Sequence, residues 1–199
     1  MSAIIVIDLQ NDFCANGALA VNDGDSIVRP INQLMGNFDT VILTQDWHPV
    51  DHKSFSSQHP KTTPFQTITF NYGEQVLWPD HCIQGTRGAN FHPALNIHKS
   101  QLILRKGFNK EIDSYSAFFE NDRSTPTGLD GYLRSRNILD LTIVGLATDF
   151  CVAFSAMDAC KLGYEVKVRL DLTRPIDTSG SLQRALKSMN DLGAKLING

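Results

Sequence analysis

Six short aliphatic runs, separated by longer amphipathic stretches, constrain this chain more than any other feature of its sequence. They fall at Ala3–Leu9, Thr40–Thr44, Gln101–Leu104, Leu141–Gly145, Glu165–Leu170 and Ala194–Ile197. Apolar runs this short, alternating with helical patterns, are the signature of βαβ units whose strands are buried on both faces. The stretch after the first run carries Ile27, Ile31, Leu34 and Met35 on one helical face, with Pro30 tolerable only if it lies near the first turn. A short helix is predicted over Leu129–Ser135, just before the fourth strand. Leu182, Ala185, Leu186, Met189 and Leu192 repeat at helical spacing near the end, with Gly193 as the stop. The predicted fold is α/β, a mostly parallel sheet of about six strands with helices on both faces. At this length, residues 1–199 are expected to form one domain. Within it, residues 49–90 are irregular and rich in Pro, His, Ser, Thr and Gly, the composition of a functional loop or lid.

Composition closes several alternatives. Forty-two percent of the residues are apolar, enough to bury a core and too many for a disordered chain. The N-terminal run Ala3–Ile7 is far short of the roughly 20 residues a membrane span needs. With 18 basic against 21 acidic residues, a net charge of −3, nothing marks a nucleic-acid or anionic-membrane partner. Cys14, Cys82, Cys151 and Cys160 form no CxxC pair, and the first residues lack the basic segment and cleavage site of a secretory signal. The expectation is a cytoplasmic protein with reduced thiols.

In an open parallel sheet, ligands sit beyond the carboxyl ends of the strands. Asp8 lies at the end of the first predicted strand, Asp46 and His48 follow the second, Lys106 follows the third, and Cys151 sits past the fourth where a helix opens. Cys151 at a helix start is placed for a lowered thiol pKa. Its alternative reading is a buried structural cysteine, which is the favoured reading of Cys14, Cys82 and Cys160. Asp8 interrupts an apolar strand, so it is either hydrogen-bonded or functional; it could equally cap the Gln10–Asp12 turn. Lys106 alone reads as a solvated charge, but beside Asp8 and Cys151 it would stabilise two anions. Together the three supply a nucleophile, a proton shuttle and a cation for covalent acyl transfer.

A second constellation is Asp46-Trp47-His48 with the remote His81, a carboxylate and two imidazoles suited to Zn²⁺, Fe²⁺ or Mn²⁺. The bland reading is loop histidines making ordinary hydrogen bonds, and it is preferred for His52, His59, His92 and His98. Phe13 and Trp78 are candidate aromatic walls or, equally, core residues.

The sequence resembles the nicotinamidases of the isochorismatase-like cysteine hydrolase family over nearly its whole length. The matching stretches are Ile7-Asp8-Leu9-Gln10-Asn11-Asp12-Phe13, Thr44-Gln45-Asp46-Trp47-His48-Pro49 and Leu77-Trp78-Pro79-Asp80-His81-Cys82. They continue with Arg105-Lys106-Gly107, Asp113-Ser114-Tyr115-Ser116-Ala117-Phe118 and Gly145-Leu146-Ala147-Thr148-Asp149-Phe150-Cys151-Val152. The resemblance implies the isochorismatase-like fold, a catalytic triad of Asp8, Lys106 and Cys151, and a metal held by Asp46, His48 and His81. It implies an oxyanion hole at the N–H groups of Ala147 and Cys151, with a cis peptide at Leu146–Ala147. Phe13 and Trp78 would flank the substrate ring, and Tyr115 falls in a motif near the pocket. The expected reaction is hydrolysis of nicotinamide, and of pyrazinamide, through a Cys151 thioester in NAD salvage. One divalent metal ion and no organic cofactor are expected. His52 or water could complete the coordination, and the choice between monomer and homo-oligomer stays open. An N-carbamoyl amidase would share fold and thiol but generally lacks the Asp-x-His pair, and a non-catalytic binding module would not need every position filled.

Overall fold

The computed structural model describes residues 2–199. Six parallel strands form the main sheet: β1 (Ser2–Ile7), β2 (Thr40–Asp46), β5 (Leu102–Lys106), β6 (Asp140–Leu146), β7 (Glu165–Arg174) and β8 (Lys195–Ile197). Their spatial order is β5-β2-β1-β6-β7-β8, so strands from both ends of the described chain share one sheet. All six predicted strands are present. The structure carries β2, β5 and β7 two to four residues further than the aliphatic runs, because the polar residues at those ends still pair with their neighbours.

The sheet is entered at β1, built outward to β5, and then continued from β6 in the other direction. Right-handed crossovers therefore put α1 (Val28–Leu34) on one face and α2 (Leu129–Arg134), α3 (Ala153–Lys161) and α4 (Ser181–Asp191) on the other. α3 and α4 pack on each other, as that placement requires. Pro30 is the third residue of α1, in the first turn, where its missing N–H breaks no helical bond. Gly193, at φ 91°, ends the last helix as its spacing suggested. In the core, Ile4, Ile5 and Ile7 of β1 are completely buried, since a central strand has helices over both faces.

The irregular segment is not wholly irregular. It contains an antiparallel hairpin, β3 (Thr67–Phe70) and β4 (Gly73–Val76), that no aliphatic run announced. Its first strand alternates exposed and half-buried residues, its second buries only Gln75, and neither has the run of large aliphatics that registers as a strand. Among the described residues no helix is long and apolar enough to cross a membrane.

Where β1 and β6 meet, Gly145 sits at φ 112°, and a Cβ there would lie 2.1 Å from the carbonyl oxygen of Ile7. The two backbones approach closely just before each delivers a reactive residue, Asp8 from one and Cys151 from the other. Gly145→Ala is expected to lower the unfolding free energy by about 3 kcal/mol or more, read as a lower urea midpoint at unchanged m-value.

Candidate active site

The sheet changes direction between β1 and β6, and at such a switch point the strand ends splay and leave a crevice. Asp8 is the first residue beyond β1; Asp46 and Lys106 are the last residues of β2 and β5. Cys151 lies in one wide, π-type turn, Thr148–Val152, that leads from β6 into α3. Asp46 and Lys106 are register partners on neighbouring strands, so their side chains emerge side by side on one face. Thr44, two residues before Asp46, shares that face.

These placements converge on the Lys106 ammonium, which is buried. Its Nζ lies 2.8 Å from Asp8 Oδ2 and 2.5 Å from Asp46 Oδ1. It also donates to the Ser114 carbonyl at 2.8 Å and stands 3.4 Å from Cys151 Sγ. Asp8 Oδ1 accepts a hydrogen bond from the Thr44 hydroxyl at 2.6 Å, and that hydroxyl oxygen accepts the Asp8 N–H at 3.1 Å. Asp8 Oδ2 accepts no well-formed hydrogen bond and faces the lysine and the thiol, the position of a proton acceptor.

Charge explains how the groups share the site. Burial pushes the Asp8 carboxyl up, against the pull of Lys106. Burial would also raise Asp46, but Lys106 and His48 hold it well below the usual carboxylate range. Burial would lower Lys106; Asp46 and Asp8 instead lift it well above the usual lysine value. The thiol departs from its sequence expectation. Burial pushes Cys151 well up, Lys106 pulls it back, and Asp8 and Asp46 push it up again. Two carboxylates and loss of water outweigh a helix start that begins with a distorted turn. The resting group is therefore a thiol, and the thiolate requires transfer of its proton to a neighbour.

The second constellation sits on the other side of Asp46. Gln10 clamps that residue's backbone, accepting its N–H and donating to its carbonyl, both at 2.8 Å. His48 Nδ1 lies 2.8 Å from the Gly107 carbonyl and His81 Nδ1 2.8 Å from the Pro79 carbonyl. A carbonyl can only accept, so each ring carries a proton on Nδ1 and turns its Nε2 inward toward Asp46. Those Nε2 atoms lie 3.5 and 3.8 Å from Asp46 Oδ2, and that of His48 has no hydrogen-bond partner. Three donors about 2.0–2.2 Å from one ion stand about 3–3.5 Å apart, so the set fits a divalent cation after small movements. Gly107, at φ 66°, is required here, because a Cβ would fall 2.4 Å from His48 Cε1.

Between the two constellations lies a pocket lined by Phe13, Leu19, Trp78, Tyr115, Phe150 and Ile176, with Asp46, His81, Ala147 and Cys151 in its wall. All ten residues nominated from sequence thus come together. Phe13 meets His81 edge-on at 5.4 Å between ring centroids, and Trp78 meets Phe150 at 4.8 Å. The Trp78 indole N–H donates to the Tyr115 hydroxyl at 3.1 Å. The Leu146–Ala147 peptide is cis. His52 is buried beside His48, with 4.4 Å between ring centroids, and its Nδ1 is occupied by Ser54. His59, His92 and His98 lie outside the pocket lining, as the bland reading had them. A wider cleft beyond Phe150, lined by Phe65, Phe154, Met157 and Arg184, holds none of the converging groups.

An isochorismatase domain matches residues 2–199. The chain belongs to the isochorismatase family. Within it, the nicotinamidase of Acinetobacter baylyi is 54% identical over 196 residues, covering 98% of this chain and 92% of that protein. The solved nicotinamidase/pyrazinamidase of Acinetobacter baumannii superposes with a TM-score of 0.98 at 54% identity, over 99% of this chain and 95% of that one. A pyrazinamidase of Pyrococcus horikoshii, solved in complex with zinc, is 31% identical with a TM-score of 0.80, over 100% of this chain and 99% of that one.

Several residues that support the site escaped the sequence reading. Thr44, Gln10 and Ser114 stand inside the quoted motifs, so buried polar residues beside a functional aspartate or lysine were the available signal. Gln75, whose amide nitrogen reaches the Asp113 carboxylate at 2.9 Å and the Tyr115 hydroxyl at 2.8 Å, lies in the unforeseen hairpin and carried no signal.

Lys106→Met would leave two buried carboxylates facing each other without a cation. The cost is expected at about 3–5 kcal/mol of stability near pH 7. Asp46, held low in the folded state, contributes stability above its unfolded pKa and loses it as pH falls. The variant has forfeited that contribution, so its deficit should shrink in denaturation curves as pH is taken from about 4 downward toward the folded-state value of Asp46.

Proposed function

We propose that the chain, acting as one domain, hydrolyses nicotinamide to nicotinate and ammonia through a thioester on Cys151. One observation carries the reading: a thiol, a buried carboxylate and an ammonium in mutual contact share an aromatic pocket with a carboxylate–diimidazole set. The 54% identity to proteins named nicotinamidase supports the choice of substrate. Pyrazinamide, with the same carboxamide and a nitrogen at the same ring position, fits the same groups.

Asp8 Oδ2 takes the Cys151 proton, and the sulfur attacks the carboxamide carbon. Lys106 holds the carboxylate in place and stabilises the thiolate as it forms. Negative charge then moves to the amide oxygen, where the Ala147 and Cys151 N–H groups would receive it. The C–N bond breaks as Asp8 returns its proton to the nitrogen, releasing ammonia. Water attacks the thioester while Asp8 accepts one of its protons; the C–S bond breaks and the sulfur is reprotonated. Phe13, Trp78 and Tyr115 wall the ring and exclude bulk water.

Asp46 Oδ2 and the Nε2 atoms of His48 and His81 would hold a divalent metal. When bound, such an ion supplies a Lewis acid for the ring nitrogen and so fixes the orientation of the ring. The zinc in the Pyrococcus relative supports this assignment, and Fe²⁺ or Mn²⁺ suit the same donors. All four cysteines are free, which supports a reducing, cytoplasmic setting in which the product feeds NAD salvage.

Cys151→Ala and Asp8→Asn are each expected to reduce ammonia release from nicotinamide by about 10³-fold or more while remaining folded by circular dichroism. Near-native turnover in either would overturn the mechanism. Exhaustive chelation is expected to raise KM by about tenfold or more, with recovery on adding Zn²⁺, Fe²⁺ or Mn²⁺. An unchanged KM in metal-free protein would end the ring-orienting role.

A further inference from the structure

One buried acid in the pocket has no part in the proposed chemistry. Asp113, in the segment after β5, is 3% exposed and lines the same pocket as Asp46, His81 and Cys151. Its Oδ1 accepts the Ser114 N–H at 2.7 Å and its Oδ2 accepts the Gln75 side-chain N–H at 2.9 Å, so both oxygens serve as acceptors. No lysine, arginine or histidine among the described residues comes within ion-pair distance of it, whereas Asp8 and Asp46 both reach Lys106.

Buried charges are tolerated when balanced and costly when left unbalanced. Asp8, Asp46 and Asp113 place three acidic side chains around the site, and Lys106, which reaches only the first two, is the one lysine or arginine among them. A divalent cation on Asp46, His48 and His81 would add positive charge where the acids outnumber the base. Position agrees with charge. A carboxylate oxygen of Asp113 and ring nitrogens of His48 and His52 all lie within 4.8 Å of one another. His52 is fully buried there, and its Nε2 is without a hydrogen-bond partner. Asp113 therefore stands next to a ligand of the candidate ion without belonging to the Asp46–His48–His81 set.

Resting on the metal reading above, we infer that Asp113 is the counter-anion of the metal site. It strengthens binding of a dication through its field, as a positioning residue rather than a ligand. Gln75 extends this to the hairpin. Its Nε2 reaches Asp113, Tyr115 and the Val76 carbonyl, and its Oε1 accepts from Asn121 at 3.0 Å. Seating of the β3–β4 hairpin thus holds the charge where the cation needs it.

The test is the zinc dissociation constant of metal-free protein, measured by competition with a chromogenic chelator. Asp113→Asn, which removes the charge and keeps the shape, is expected to weaken zinc binding about 10- to 100-fold. Asp113→Ala, run beside it, is expected to do the same and serves should the first fail to fold. Asp46→Asn, which removes a ligand, is the control and should weaken binding at least as much. Melting temperatures provide a second readout: each Asp113 variant should lose most of the upward shift that zinc produces in the native chain. If Asp113 variants bind zinc as tightly as the native chain while Asp46→Asn does not, the counter-anion role is overturned and the metal site stands. If Asp46→Asn also binds normally, the metal reading fails and this inference with it. Equal losses of melting temperature with and without zinc, at unchanged affinity, would mark Asp113 as structural and likewise overturn it.

Discussion

A lysine ammonium with almost no access to water is the interaction on which the site depends. Lys106 is held there by two carboxylates and a backbone carbonyl, and in return its charge holds Asp46 low and opposes the upward push of burial on Asp8. Remove the cation and Asp8 and Asp46 repel each other across a region with little solvent to screen them. The same ammonium links the two constellations, since Asp46 offers one oxygen to Lys106 and turns the other toward the Nε2 atoms of His48 and His81. The thiol–carboxylate–ammonium group and the carboxylate–diimidazole set are thereby coupled through a single carboxylate. Mixed charge of this kind is poor ballast for stability and well suited to holding reactive groups in one protonation pattern.

The fold earns this arrangement from its topology. Strands β1 and β6 run side by side and then part, one turning through Asp8 at φ 46° and the other through a cis peptide and a wide turn. The crevice that opens receives Asp46 and Lys106 from the next two strands, which are aligned by register rather than by any attraction between them. Close packing near Gly145 and Gly107 means that backbone approach, as much as side-chain choice, sets the distances among the reactive atoms. The thiol illustrates the consequence. Depth in the crevice raises its pKa where a more exposed helix start would have lowered it, so Asp8 must be adjacent for the sulfur to react.

Much of this was legible in the residues. Six aliphatic runs yielded all six strands of the main sheet, because a strand buried on both faces cannot hide its hydrophobicity. Asp8, Asp46, Lys106 and Cys151 stood out because polar residues at the ends of such strands have few bland explanations. The β3–β4 hairpin was invisible for the opposite reason: it is short, half-exposed and polar, and its stability comes from packing against the rest of the molecule. Gln75 went unseen with it, a buried amide in a segment that gives no periodic signal.

The sequence by itself determined the strand and helix inventory and the residue types gathered at one sheet edge, since hydrophobic spacing and strand-end polarity are local properties. Tertiary structure alone decided the protonation pattern and the partners. Which carboxylate is held low, which nitrogen of His48 faces inward and how far burial lifts Cys151 depend on distances between groups far apart in the chain, 60 residues for Asp46 and Lys106, 59 for His48 and Gly107 and 45 for Lys106 and Cys151. Those distances follow from strand order and backbone approach, and electrostatic energy in a buried site changes steeply over the few tenths of an ångström that they set.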